Sequence, residues 1–175
     1  MHQACAAQTD ADHQTPTMNP DQIHRHLRRA NEVAQRAAAM GRHPFGALLV
    51  APDGETVLAE QGNINTVNHA ESTLAQHAAD NWPAEYLARC TLVTTFEPCA
   101  MCTGTVYWAN IGRIVYGASE EALLALTGNH AENPTLSLPC REVLARGQKA
   151  VEVISPLPEM AAEMLVPHRG FWAGR

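Results

Sequence analysis

The stretch Thr91-Leu92-Val93-Thr94-Thr95-Phe96-Glu97-Pro98-Cys99-Ala100-Met101-Cys102 joins a β-branched, apolar run to a proline and two cysteines. Thr91 to Thr95 has the composition of a buried strand, and Pro98 suits the first position of a helix reaching about Ala109. Cys99 and Cys102 then share one helix face near its positive end, where a thiol gives up its proton more readily. Upstream, Asn68-His69-Ala70-Glu71 opens a second helix, with Asn68 as the expected N-cap and an Ala-rich body running to about Asn81. One imidazole and two thiols suit a zinc ion, and three protein ligands leave a tetrahedral ion one position for water. A structural knot needs a fourth Cys or His soon after Cys102, and none follows. Glu71 stands beside the ligand set, where a carboxylate can carry protons.

Each residue also has a plainer reading. Glu71 completes a capping box with Asn68, His69 is a hydrogen-bonded helix-start histidine, and the cysteines are small buried thiols. Their joint order, with a strand leading into the cysteine helix, favours the metal.

Outward from these motifs the chain alternates strands and helices. Helical spacing runs from Asp21 to Ala39 and ends at Gly41. Phe45 to Ala51 reads as a buried strand, and the turn Pro52-Asp53-Gly54-Glu55 returns it as a second strand over Thr56 to Glu60. Further strands are expected at Arg113 to Tyr116 and Val151 to Ile154. Short helices are expected at Glu120 to Leu126, Arg141 to Ala145 and Glu159 to Leu165. An antiparallel hairpin followed by β–α alternation predicts an α/β fold, a three-layer sandwich with a central mixed five-stranded sheet. Both metal-binding segments fall at one end of that sheet, where open α/β sheets place ligands. Residues 1–20 read as a polar, disordered leader, and 21–175 as a single domain.

The 175 residues suffice for a real core, and no apolar run is long enough to span a bilayer. The first twenty residues lack the apolar segment of a signal peptide. Five cysteines, with one C-x-x-C, fit a reducing cytoplasm and metal chemistry better than disulfides. The net charge of −6 argues against strong non-specific affinity for nucleic acid. The one basic cluster, His24-Arg25-His26-Leu27-Arg28-Arg29, reads as a solvated helix face.

The H-x-E…P-C-x-x-C order is the signature of zinc deaminases of nucleobases. From Gln22 to Leu165 the chain resembles the cytidine-deaminase-like superfamily, and within it the bacterial guanine deaminases and tRNA adenosine deaminases. Further matching segments are Pro44-Phe45-Gly46-Ala47, Asn63, Glu97 and Ile111-Gly112-Arg113-Ile114-Val115-Tyr116-Gly117. The resemblance implies that His69, Cys99 and Cys102 hold Zn2+ and that Glu71 shuttles protons. It also implies that Asn63 and backbone around Ala70 contact the base, and that Phe45 lines the pocket. Guanine deaminases read the exocyclic amine with an acidic residue after the fourth strand. Ala122 falls at that position, and Glu121 substitutes after a one-residue shift.

The tail Pro167-His168-Arg169-Gly170-Phe171-Trp172 offers Phe171 and Trp172 as rings to stack on a planar base, or as ordinary terminal anchors. The segment Leu126 to Arg146 is an insert relative to the tRNA enzymes. The expected reaction is hydrolytic deamination of a free nucleobase or nucleoside, a purine with guanine first, by a cytoplasmic homodimer without membrane contact. The alternatives are adenosine editing in tRNA, which calls for a basic aromatic rim, and a zinc-stabilised module without activity.

Overall fold

The computed structural model describes residues 18–128, 130–154 and 158–173. Most of the leader expected over 1–20 therefore lies outside the described residues. Helix α1 (Pro20–Ala39) begins at a full capping box, in which Asn19 Oδ1 accepts from the Gln22 amide at 2.9 Å and Gln22 Oε1 accepts from the Asn19 amide at 2.8 Å. Its buried stripe is Leu27, Ala30, Val33, Ala34 and Ala37. Strands β1 (Gly46–Val50) and β2 (Val57–Gly62) form the antiparallel hairpin. Asp53 makes its turn, accepting from the amides of Glu55 and Thr56.

Helix α2 (Ala70–Asn81) and a short α3 (Ala84–Leu87) lead to β3 (Thr91–Phe96). Nothing in the sequence reading anticipated α3, a single turn started after Pro83. Helix α4 (Ala100–Trp108), β4 (Arg113–Ala118), α5 (Glu120–Thr127), α6 (Cys140–Leu144), β5 (Glu152–Ile154) and α7 (Pro158–Leu165) complete the chain.

The five strands lie in the order β2-β1-β3-β4-β5, with β1 antiparallel to both neighbours and β3-β4-β5 parallel. Strand alternation divides the core in two. Leu48, Val50, Val93 and Val115 pack with α1 and α7, while Ala47, Leu49, Leu92 and Ile114 pack with α2 and α4. The expected three-layer sandwich is therefore what forms. The basic cluster on α1 is neutralised by Arg25–Glu55, Arg28–Glu163 and Arg29–Glu60 pairs, all exposed. His26 departs from the solvated-face reading: it is buried, with Nε2 2.9 Å from the Gly54 carbonyl.

Gly46 starts β1 where α1 crosses the sheet. A Cβ there would meet the Ala30 carbonyl oxygen and lie 2.7 Å from the Ala34 amide nitrogen. Both are helix backbone and cannot swing aside. Gly46→Ala is expected to cost about 1–3 kcal/mol by overpacking, lowering the melting temperature by roughly 2–10 °C. Thermal unfolding followed by circular dichroism checks this, and an unchanged midpoint would show that α1 is not pinned to β1.

Candidate active site and metal centre

The two metal motifs occupy helix entrances rather than first turns. His69 is the N-cap of α2 and Cys99 the N-cap of α4, both extended and neither using its side chain to cap. Asn68 is therefore not the cap, and Pro98 lies outside its helix. The capping box between Asn68 and Glu71, the plainer reading of that carboxylate, does not form. An extended backbone at His69 and Cys99 turns both side chains across the gap between the helix starts. There they meet Cys102, on the first turn of α4. The loop before His69 is held by Asn65, whose Oδ1 accepts from the amides of Val67 and Asn68.

Nδ1 of His69 lies 3.7 Å from Cys99 Sγ and 3.5 Å from Cys102 Sγ, and the three donor atoms fall within 4.8 Å of one another. Zinc bonds of roughly 2.0–2.3 Å at tetrahedral angles place ligand atoms roughly 3.5–3.8 Å apart. The donor set therefore fits zinc in both chemistry and spacing. The Thr66 carbonyl, 3.1 Å from His69 Nε2, can only accept. It fixes the proton on Nε2 and leaves the Nδ1 lone pair for the metal. Before an ion binds, one proton is shared unevenly between the thiols. A hydrogen bond from Cys102, with His69 nearby, holds Cys99 down to about 4. The Cys99 sulfur and burial push Cys102 up. The hydrogen bond to Cys99, reinforced by the charge of Glu71, raises His69.

Glu71 is buried, with Oε1 accepting from Thr94 Oγ1 at 2.8 Å and Oε2 3.7 Å from Cys102 Sγ. Burial raises its pKa, which the Thr94 hydrogen bond and His69 partly offset. A buried carboxyl anchored by one oxygen, with the other beside the metal donors, suits proton transfer. An inner cavity of about 30 Å³ beside the donors is lined by Phe45, His69, Glu71, Phe96, Glu97, Cys99, Glu120 and Asn133. An outer cavity of about 260 Å³ shares its Glu97 and Glu120 wall.

Of the other residues singled out from sequence, Ala70 is buried as the first residue of α2, and Phe45 lines the inner cavity, edge-on to Phe96. Asn63 is buried with its Oδ1 unpartnered, but it lines a neighbouring cavity with His43 and Thr66 instead. Glu121 faces only the outer cavity, whereas Glu120 walls both. The register differs from the expected one-residue shift because Ser119 caps α5 and its first residue, Glu120, turns inward. Burial, then repulsion from Cys99, Glu71 and Glu97, raises Glu120 to about 7. Phe171 and Trp172 line neither cavity. Trp172 is buried against His43 and His130, and its indole N–H donates to His168 Nδ1 at 3.3 Å. His168 in turn packs on Phe45 and Phe96. The tail thus backs the pocket wall, with Trp172 buried against imidazole rings behind it.

Three contributors escaped the sequence reading. Thr94 reaches Glu71 only across the fold, and the Thr66 carbonyl meets His69 through the local bend of the loop before α2. Glu97 was noted as a motif residue without a role. Its Oε1 accepts from the Cys140 amide at 3.0 Å, and its Oε2 lies 3.5 Å from the Glu120 amide.

A family model for the cytidine and deoxycytidylate deaminase zinc-binding region matches residues 20–118. The fold and donor set are those of a zinc-dependent hydrolytic deaminase. The chain belongs to the cytidine and deoxycytidylate deaminase zinc-binding family. It is 34% identical over 152 residues to a "probable cytosine deaminase" of Schizosaccharomyces pombe, covering 85% of this chain and 91% of that one. Over 79 residues it is 40% identical to a guanine deaminase of Bacillus subtilis, covering 43% of this chain and half of that one. The solved guanine deaminase of Nitrosomonas europaea shares the fold, with a TM-score of 0.64 and 24% identity over 90% of this chain and 86% of that one.

Cys102 holds its proton in the free site and must release it to ligate. Affinity for zinc should therefore rise with pH, by about tenfold per unit near neutrality. On the acid side, protonation of His69 adds a second proton and steepens the slope. Competition against a chromophoric chelator at several pH values measures this. A flat profile would contradict the proton assignment.

Proposed function

We propose that the chain deaminates a free nucleobase or nucleoside, guanine first among them, rather than an adenosine in tRNA. The observation that carries this reading is the lining of the inner cavity. It holds three carboxyls, Glu71, Glu97 and Glu120, and no lysine or arginine among its described residues. A phosphodiester chain needs the opposite charge, whereas a neutral base with an exocyclic amine is suited by acceptors. At about 30 Å³ the inner cavity holds a water and not a ring, so the base also occupies the outer cavity across Glu120. Glu120 takes the role of the acidic residue after the fourth strand, in contact with an amine of the base.

His69, Cys99 and Cys102 would hold zinc, which would supply an activated water there. Glu71, beside Cys102, takes a proton from that water and passes it to the ring nitrogen next to the amine-bearing carbon. As the water oxygen bonds to that carbon, Glu71 takes the second proton from the added hydroxyl and delivers it to the amine, so that the C–N bond breaks, ammonia leaves and a carbonyl remains. Thr94 keeps Glu71 Oε1 in place through both transfers. Phe45 and Phe96, edge to face and backed by His168, exclude bulk water from the ring.

The test is ammonia release by the zinc-loaded protein from guanine, guanosine, cytosine, cytidine, adenine and a tRNA anticodon stem-loop. Turnover of a free base or nucleoside is expected. Activity confined to the stem-loop would transfer the assignment to RNA editing. Glu71→Gln should keep its zinc and lose about 10²–10⁴-fold in kcat. The buried carboxylate of Glu71 is disfavoured in the fold, so its protonated form is the one that folding favours. Its ionisation lowers stability as pH rises above the ordinary carboxyl range. Glu71→Gln should accordingly melt no lower than the parent at neutral pH. A lower melting point would remove the premise that burial raises Glu71.

A further inference from the structure

The described residues 130–139, ahead of α6, place Asn133 in the wall of the metal-side cavity, with His69, Glu71, Cys99 and Glu120. The Asn133 side-chain Nδ2 is buried and has no hydrogen-bond partner. Buried N–H groups are nearly always paired, so an orphan at the mouth of a reaction site points to an acceptor that arrives with the ligand. The segment that carries it is held from several sides. The Asn133 amide donates to the His130 carbonyl at 2.9 Å, and the Glu132 amide to His130 Nδ1 at 3.2 Å. Glu132 Oε2 lies 3.6 Å from His43 Nε2, and the His130 ring packs on Trp172 with centroids 5.3 Å apart. Asn133 is therefore set in advance and need not be ordered by the substrate.

The other polar groups of the inner cavity are committed. His69 Nε2 is bound to Thr66, Glu71 Oε1 to Thr94, and Glu97 to the Cys140 amide. Glu120 presents a carboxyl to an amine. A carbonyl oxygen entering this wall finds the Asn133 amide as its uncommitted N–H donor.

We propose that Asn133 is a specificity-determining residue. Its Nδ2–H donates to a ring carbonyl separated from the amine-bearing carbon by one ring nitrogen. This selects amino-oxo bases such as guanine, cytosine and isocytosine. Adenine, which has no ring carbonyl, is rejected because its binding leaves the amide buried and unpaired. The inference rests on the deaminase reading of the same site.

Two matched pairs test it: guanine with 2-aminopurine, and cytosine with 4-aminopyrimidine. The second member of each pair lacks the carbonyl and keeps the amine. In the parent enzyme the carbonyl-bearing member of the pair that is turned over should have the higher kcat/KM. Asn133→Ala should lower that value by roughly 10–100-fold and leave the carbonyl-free member unchanged. Asn133→Asp keeps the shape, removes the donor and turns an oxygen toward the carbonyl, so its loss should be at least as large. Equal losses for both members of a pair would show a merely structural role, and an undiminished preference for the carbonyl would overturn the proposal. Turnover of none of the four by zinc-loaded parent would count against the deaminase reading instead. Asn133 is then judged by binding alone, with calorimetry of guanine and 2-aminopurine on zinc-loaded Glu71→Gln, with and without Asn133→Ala. A preference for guanine that disappears with Asn133→Ala supports the role; equal binding of the two bases, or a preference that survives, defeats it.

Discussion

The site depends on the meeting of two helix entrances, where an extended His69 and an extended Cys99 face each other across a gap of under 4 Å. Each gives up the capping role that its position ordinarily serves, and the helix starts are left to other means. Thr103, for example, hydrogen-bonds the Pro98 carbonyl at 3.0 Å through its hydroxyl. What is gained is direction, because an N-cap side chain leaves the helix along its axis and toward its positive end. Two such ends aimed at one point favour the thiolate form that a metal ligand needs. The sheet enforces the meeting. Strand β3 delivers Cys99 from its carboxyl end, and α2 packs against β1, which is paired with β3.

Around this centre the fold collects carboxyls, an arrangement that burial opposes and that hydrogen bonds offset. Glu97 is the junction. Its own amide extends the parallel ladder by donating to the Ala118 carbonyl, and its side chain receives the starts of α5 and α6. One residue, just before Pro98, thereby positions both Glu120 and the start of α6. The aromatic wall has the same layered logic. Phe45 and Phe96 touch the cavity, His168 backs them, and Trp172 closes the layer behind, with His168 held down to about 4 by burial. The C-terminal tail therefore shapes the pocket at second hand.

Much of this was legible in the sequence. The unbroken apolar run of β1, the Asp53 turn and the 3.6-residue stripe of α1 are each local patterns that a buried strand, a turn or a helix must obey. The metal ligands were legible because zinc demands particular atoms, and His69, Cys99 and Cys102 supply them at spacings that local helix starts can use. The cap assignments failed for a related reason. Asn68 is the better capping residue by propensity, but the metal set requires His69 to be extended, and the tertiary demand exceeds the fraction of a kcal/mol to about 2 kcal/mol that a cap is worth. Glu120 and Glu121 could not be told apart, because a one-residue turn in the start of α5 decides which of two neighbours points inward.

By itself, then, the chain's sequence determined its layers, its mixed five-stranded sheet and its metal. All of these follow from periodicity or from donor chemistry written into short motifs. Only the tertiary structure decided that Glu120 walls both cavities, that Phe171 and Trp172 line neither, and that Asn133 stands in the inner wall. Those outcomes depend on contacts between segments far apart in the chain, such as Glu97 with Cys140 and His130 with Trp172. No local pattern encodes such contacts, because each is settled only when the packed layers leave one place for a side chain to go.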